Sequence, residues 1–150
     1  MKFFLAVLLL VNFKVVACGQ DYLKGYSDKN KFLVAVELAD FVYIGEVART
    51  YRLPNTHASQ KNDNGYVFKV IELLKGETQA YMETEQSSHC GISGPFSENY
   101  WPNSAGQEFV VAGKSSNDNN YVFAVYPFNK AVYVMGEILN AANKQFNRDQ

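Results

Sequence analysis

At 150 residues, 47% of them apolar, the chain is long enough for one domain with a substantial core. Its 14 basic and 15 acidic residues leave a formal net charge of −1, which lacks the basic excess that a nucleic-acid partner selects. No run approaches the roughly 20 apolar residues of a membrane-spanning helix.

The N-terminus reads as a secretory signal. Lys2 supplies a positive start, residues 3–11 are an unbroken apolar run, and Val15 and Ala17 occupy the −3 and −1 positions of a cleavage site. Cleavage after Ala17 divides the chain into a signal peptide, 1–17, and one domain, 18–150, that begins at Cys18. The α-amine and the thiol of the mature chain then belong to the same residue. Lys2 and Lys14 leave with the leader, so 12 bases face 15 acids in the secreted protein. Two cysteines in an exported chain, Cys18 and Cys90, most simply form one disulfide. A second reading stays open, because Val15-Val16-Ala17-Cys18 also resembles a lipobox. Cys18 would then be acylated and the protein anchored to a bacterial envelope.

Beyond the leader, residues 30–39 place Phe32, Ala35, Val36 and Ala39 at i, i+3, i+4 and i+7, with Ser27 and Asp28 available as caps. This predicts a short amphipathic helix, although Leu33, Val34 and Val36 also suit a strand. Residues 40–51 read as a strand interrupted by Gly45, which predicts a bulge or sharp bend. A polar loop over 52–64 leads to a second strand, 65–74, that stops at Lys75-Gly76. Residues 78–85 form a third, less apolar strand suited to a sheet edge. The stretch 87–106 is irregular and carries Tyr100 and Trp101, whose bulk predicts folding back over a core. Two further strands, 108–114 and 121–126, flank a turn, 115–120, made of Ser, Asn and Asp. Met135, Ile138, Leu139, Ala142 and Phe146 share a helical face, predicting a C-terminal helix. Five bent strands and two helices predict a mainly β fold, a small closed antiparallel barrel with helices packed outside.

No catalytic, cofactor-binding or resident metal site emerges. His57 and His89 lie in different loops, and Asp63, Glu83, Glu85 and Glu98 show no ligand spacing. The expectation is a protein that is not an enzyme and needs no cofactor.

The order of several segments resembles a known family. A cysteine at the mature N-terminus is followed by Ala39-Asp40-Phe41-Val42-Tyr43-Ile44-Gly45-Glu46-Val47, then by Tyr66-Val67-Phe68-Lys69-Val70-Ile71-Glu72-Leu73-Leu74-Lys75-Gly76. Ser87-Ser88-His89-Cys90-Gly91 and Gly106-Gln107-Glu108-Phe109-Val110-Val111-Ala112-Gly113-Lys114 complete the series. The series is similar to the netrin-like module, in particular the N-terminal domain of the tissue inhibitors of metalloproteinases. The resemblance implies a five-stranded OB-type barrel with flanking helices and a disulfide between Cys18 and Cys90. It also implies a protease-binding ridge made of Cys18, Gly19 and Gln20 with Ser88, His89 and Cys90. The partner it implies is an extracellular protein, a zinc metalloproteinase, whose zinc is chelated by the α-amine and carbonyl of Cys18. Alternatives are a non-inhibitory netrin-like adhesion or assembly module and the lipid-anchored envelope protein acylated at Cys18.

Overall fold

The computed structural model describes residues 23, 25–52, 64–86, 100–115 and 120–144. Helix α1 (Asp28–Leu38) is followed by β1 (Phe41–Arg52), β2 (Asn64–Lys75), β3 (Tyr81–Gln86), β4 (Glu108–Ser115) and β5 (Asn120–Pro127). A short helix α2 (Phe128–Ala131) passes through a 3-10 turn (Val132–Val134) into α3 (Met135–Lys144). The ambiguous first segment folds as a helix because its start is capped. The Ser27 hydroxyl accepts from the Asn30 amide at 3.3 Å, satisfying one of the donors that every helix start leaves open.

The strands form one antiparallel sheet in the order β3-β2-β1-β4-β5, so the fold is mainly β and OB-like. It differs from the expected barrel in one respect. β3 and β5 come close enough to touch, but no ladder joins them among the described residues. The sheet is rolled and open rather than closed. β3 starts at Tyr81, later than the expected residue 78, and pairs only with residues 64–69 of β2. That leaves β3 a six-residue edge strand.

Rolling the sheet gives it two buried faces and therefore two cores. Phe41, Tyr43, Val47, Tyr66, Phe68, Met82, Phe109 and Val111 fill the inside of the roll. Val42, Ile44, Val110 and Ala112 point the other way, against Phe32, Ala35 and Val36 of α1 and Ile138, Ala141 and Ala142 of α3. Adjacent β1 and β4 residues thus alternate between two apolar environments, and both strands read as nearly continuous apolar runs.

Bulges switch residues between the faces. The β1–β2 register moves from Ile44↔Glu72 to Gly45↔Val70, leaving Ile71 as the extra residue at the position where Gly45 predicts a bend. Tyr66, Phe68 and Val70 therefore pack inside the roll, whereas Leu74, beyond the bulge, packs on the helix side. A slip in the β4–β5 ladder, between Ala112↔Ala124 and Gly113↔Val122, leaves Phe123 as an extra residue on the helix side.

Helices α1 and α3 meet through small residues, with Ala35, Ala39, Ala141 and Ala142 in one cluster. Lys29 pairs with Glu137 at 2.8 Å and Lys144 with Glu37 at 2.8 Å. Start is joined to start and end to end, so the helices run side by side in the same direction. Exposed pairs of this kind are worth about 0–1 kcal/mol each, so they set orientation more than stability. Leu139, expected on the buried face, is 40% exposed. The contact face is centred on Ile138, Ala141 and Ala142, which places Leu139 at its margin. Phe146 lies outside the described residues.

Two features of the inner core carry measurable consequences. Phe41 faces Gly113 across the β1–β4 ladder, and a Cβ at Gly113 would run into the Phe41 ring and the Tyr121 carbonyl. Gly113→Ala should therefore lose about 1–3 kcal/mol of unfolding free energy in urea, as overpacked cores do.

Tyr43 is fully buried, and its hydroxyl has no hydrogen-bond partner among the described residues. Burial raises its pKa far above the ordinary 10.0. In this direction the folded chain retains a proton that the unfolded chain releases above about pH 10, so stability falls as pH rises through that value. Burial also raises Tyr66 and Tyr126, adding to the same slope. Tyr43→Phe should gain about 1 kcal/mol at neutral pH, because an unmatched hydroxyl is removed. It should also flatten the alkaline fall in a urea-melt series. A loss of stability in Tyr43→Phe would falsify the view that this hydroxyl is unpaired.

Candidate functional site

The ridge implied by the family resemblance, Cys18, Gly19 and Gln20 with Ser88, His89 and Cys90, lies outside the described residues, as does the Cys18–Cys90 disulfide. The described chain comes within a few residues of each half. Leu23, five residues after Cys18, is buried, and its carbonyl accepts from the Tyr26 amide at 3.1 Å. On the other side, β3 runs to Gln86, which pairs with Asn64 of β2. Leu23 and Gln86 are thus the described residues nearest in sequence to its two halves, and both lie between them. Gly76, where β2 was expected to stop, has φ +71 and packs so closely on the Asp40 carbonyl that a Cβ would collide with it.

The described residues contain a concave region beside the segment that re-enters at Tyr100. Trp101 stacks on Tyr66 with ring centroids 5.6 Å apart, and Tyr100 meets Tyr126 edge-on at 5.3 Å. Tyr126 in turn stacks on Phe32 of α1 at 5.2 Å. The expectation that these aromatics fold back over the core is met. Trp101 joins the inner core, while Tyr100 touches both cores. Its placement matters because such ring pairs contribute about 0.5–1.5 kcal/mol beyond their buried area.

Chain after Trp101 is held by its own polar groups. The Gln107 side-chain oxygen accepts from the amides of Asn103 at 3.0 Å and Ser104 at 3.2 Å. The Gly106 amide and the Val47 carbonyl are joined at 2.8 Å, as are the Val47 amide and the Gln107 carbonyl. The turn is therefore stitched to β1 just before β4 begins.

Between this turn and the start of α2 lies a cleft of about 500 Å³. Tyr100, Trp101, Phe109, Pro127 and Phe128 give it apolar walls, and Asn103, Gln107, Glu108 and Asn129 give it polar ones. Lys130 sits next to it. Its Nζ lies 4.5 Å from the Tyr100 ring centroid and donates to the Tyr100 hydroxyl at 3.2 Å. That hydrogen bond raises the lysine pKa.

Sequence reasoning singled out Tyr100 and Trp101 but missed Glu108, Phe128 and Lys130. The available signal was the Tyr126-Pro127-Phe128-Asn129-Lys130 run, in which aromatic, proline and amide residues follow a strand. No group of three or more potential metal ligands occurs among the described residues, and no helix among them is long and apolar enough to cross a membrane. No protein-family model matches the chain, and no curated protein matches it either.

Proposed function

We propose that the protein is a secreted, non-enzymatic binding module of the netrin-like kind. Its mature N-terminal edge meets an extracellular protein, with a zinc metalloproteinase as the specific candidate. The observation that supports this reading is the architecture: a rolled five-stranded antiparallel sheet with β1 at its centre and helices α1 and α3 packed together on one face. This is the arrangement that the family resemblance implies.

The chemistry of the edge follows from elementary coordination. A catalytic zinc keeps one position open for water or substrate. The α-amino nitrogen and carbonyl oxygen of Cys18 would close a five-membered chelate on that metal. An α-amine of pKa about 7.7–8.0 is neutral in an appreciable fraction of molecules near physiological pH, and that fraction presents a lone pair. A Cys18–Cys90 bond would fix these atoms before binding, limiting the ordering entropy lost. Closing that 72-residue separation would also stabilise the fold by about 4 kcal/mol on chain-entropy grounds.

Two residues favour the non-inhibitory adhesion or assembly reading. Gly19 offers no side chain for a protease specificity pocket, where family inhibitors carry Ser or Thr. Gln20 stands where they carry a second cysteine.

Non-reducing peptide mapping of the exported protein should find a peptide starting at Cys18 and joined to Cys90. A free Cys90 thiol would refute that bond, and an acylated Cys18 would select the lipid-anchored form. If the protein inhibits a zinc metalloproteinase, one Ala added before Cys18, or acetylation of its amine, should abolish inhibition without unfolding the sheet. Gly19→Thr should strengthen inhibition, with about 0.8 kcal/mol available from burying the added methyl. A metalloproteinase panel untouched by both the native protein and Gly19→Thr would leave the adhesion or assembly role and the lipid-anchored form.

A further inference from the structure

We propose that the cleft between Trp101 and α2 binds a neutral saccharide, with one face of a sugar ring on the aromatic wall and its hydroxyls on the amides and carboxylate around it. The proposal takes nothing from the N-terminal edge; the site and its chemistry come from the cleft itself. At about 500 Å³, the cleft falls within the roughly 300–1,000 Å³ of small-ligand sites.

The wall argues for a ring with an apolar face. Tyr66 stacks on one side of the Trp101 indole at 5.6 Å, and Lys130 Nζ stands 4.5 Å from the Tyr100 ring centroid. The half-buried Trp101 and Phe128 rings are therefore the wall surfaces left for a ligand. Stacking on Tyr66 fixes the indole plane before any ligand arrives, which limits the ordering entropy lost on binding. A pyranose chair carries a patch of C–H groups on its face, and an aromatic face attracts them through dispersion and its negative quadrupole.

The polar groups argue for hydroxyls. Asn103, Gln107, Glu108 and Asn129 line the cleft beside those rings. The Gln107 oxygen already accepts from the Asn103 and Ser104 amides, so this side chain is held in place and offers the cleft its NH2 donors. Glu108 offers acceptors alone, and the two asparagines offer both kinds. A hydroxyl both donates and accepts, so neighbouring hydroxyls on one ring satisfy a fixed donor and a fixed acceptor together. A purely apolar ligand would strip water from these groups and return nothing. Charge favours a neutral ligand over an ion. Glu108 is the charged residue that lines the cleft, Lys130 stands beside it on the Tyr100 ring, and Glu46, opposite Glu108, faces Lys69 on its other side. An ion of either sign therefore meets a like charge here, and a neutral sugar meets none.

The test uses the chain's single tryptophan, which lines the cleft. The intact mature protein is titrated with maltose, cellobiose, lactose and N,N′-diacetylchitobiose while Trp101 fluorescence is followed. A heparin-derived disaccharide, N-acetyl-arginine methylamide and a proline-rich peptide serve as anionic, cationic and peptide comparators. At least one neutral disaccharide should give a saturable change, and its affinity should hold within about twofold when salt is raised about tenfold, because no ion pair is screened. Glu108→Ala should weaken that binding about tenfold, as expected when a hydrogen bond to a charged group is lost. Glu108→Gln, which keeps an acceptor, should recover part of the loss. Saturation of the aromatic protons in a magnetic-resonance difference experiment should mark the C–H groups of one sugar face. Thermal melts and far-ultraviolet circular dichroism confirm that each variant is folded. No saturable response to any of these neutral sugars up to the solubility limit, or tighter binding of a comparator, overturns the proposal. So does an unchanged affinity in folded Glu108→Ala. Acetylating the Cys18 amine should leave the titration unaltered, so this inference and the inhibitor reading fail separately.

Discussion

Everything in the sheet depends on β1 having no solvent face along its first half. It pairs with β2 on one side and β4 on the other. Of its residues, Phe41, Tyr43 and Val47 fill the roll, and Val42 and Ile44 meet the helices. A flat strand cannot bury large side chains on both faces within so small a chain. The roll makes room for the inner rings, and glycines make room within the roll. Phe41 covers Gly113, the Tyr43 ring packs against Gly45, and Tyr51 covers Gly65, so that in each case an added Cβ would collide with a ring. Aromatic bulk on β1 is thus matched by missing bulk beside it. The glycines act here through volume, and the bending that accompanies them follows from the bulges between them.

The same constraint explains why the roll remains open. Closing it would require β3 to pair with β5, yet β3 is six residues long and committed to the first half of β2. Side chains cover the gap that backbone does not. Met82 and Thr84 of β3 are buried, and Trp101 closes over Tyr66 from the segment beyond β3. The connection between β3 and β4 therefore ends in a plug. Tyr100, the plug's other half, joins the inner core to the helix layer through Tyr126, and the cleft is the space left where this bridge meets α2.

Much of this architecture was legible in the sequence because two strong signals agreed. Apolar patterning located all five strands, and turn chemistry at Asn62-Asp63-Asn64 and Ser115 to Asn120 separated them. Gly45 announced the bulge. What remained hidden depended on distance in sequence. Whether β3 reaches β5 is decided by strand length and register, which no local pattern encodes. Leu139 fits a helical apolar face as well as Ile138 does, and only the close approach allowed by alanines on both helices decides between them. The cysteine edge was legible as a chemical possibility through its cleavage site and its resemblance, and the described residues reach it only through Leu23 and Gln86. The cleft was invisible for another reason. Its walls come from residues 100–109 and 127–129, and nothing in either neighbourhood marks them as neighbours until β4 and β5 align.

The β1–β4 alignment also sets the charge pattern at the end of the ladder. Ile44↔Val110 and Val42↔Ala112 hold the helix face of the β1–β4 ladder, and the same two-residue repeat carries Glu46 and Glu108 to its end, past the helix-side core. A hydrophobic pair at this last rung would extend the apolar face into solvent. Charged residues occupy it instead: Glu46 stands between Glu108 of β4 and Lys69 of β2, with one like and one opposite charge as its cross-strand neighbours. Lys130, farther along the chain, is engaged by the Tyr100 ring and hydroxyl. The charge pattern of this rung is thus a consequence of one register, fixed by the core of β1. Changing that charge pattern without disturbing the core needs only the last rung, which makes this rim a part of the surface that can vary while the fold is kept.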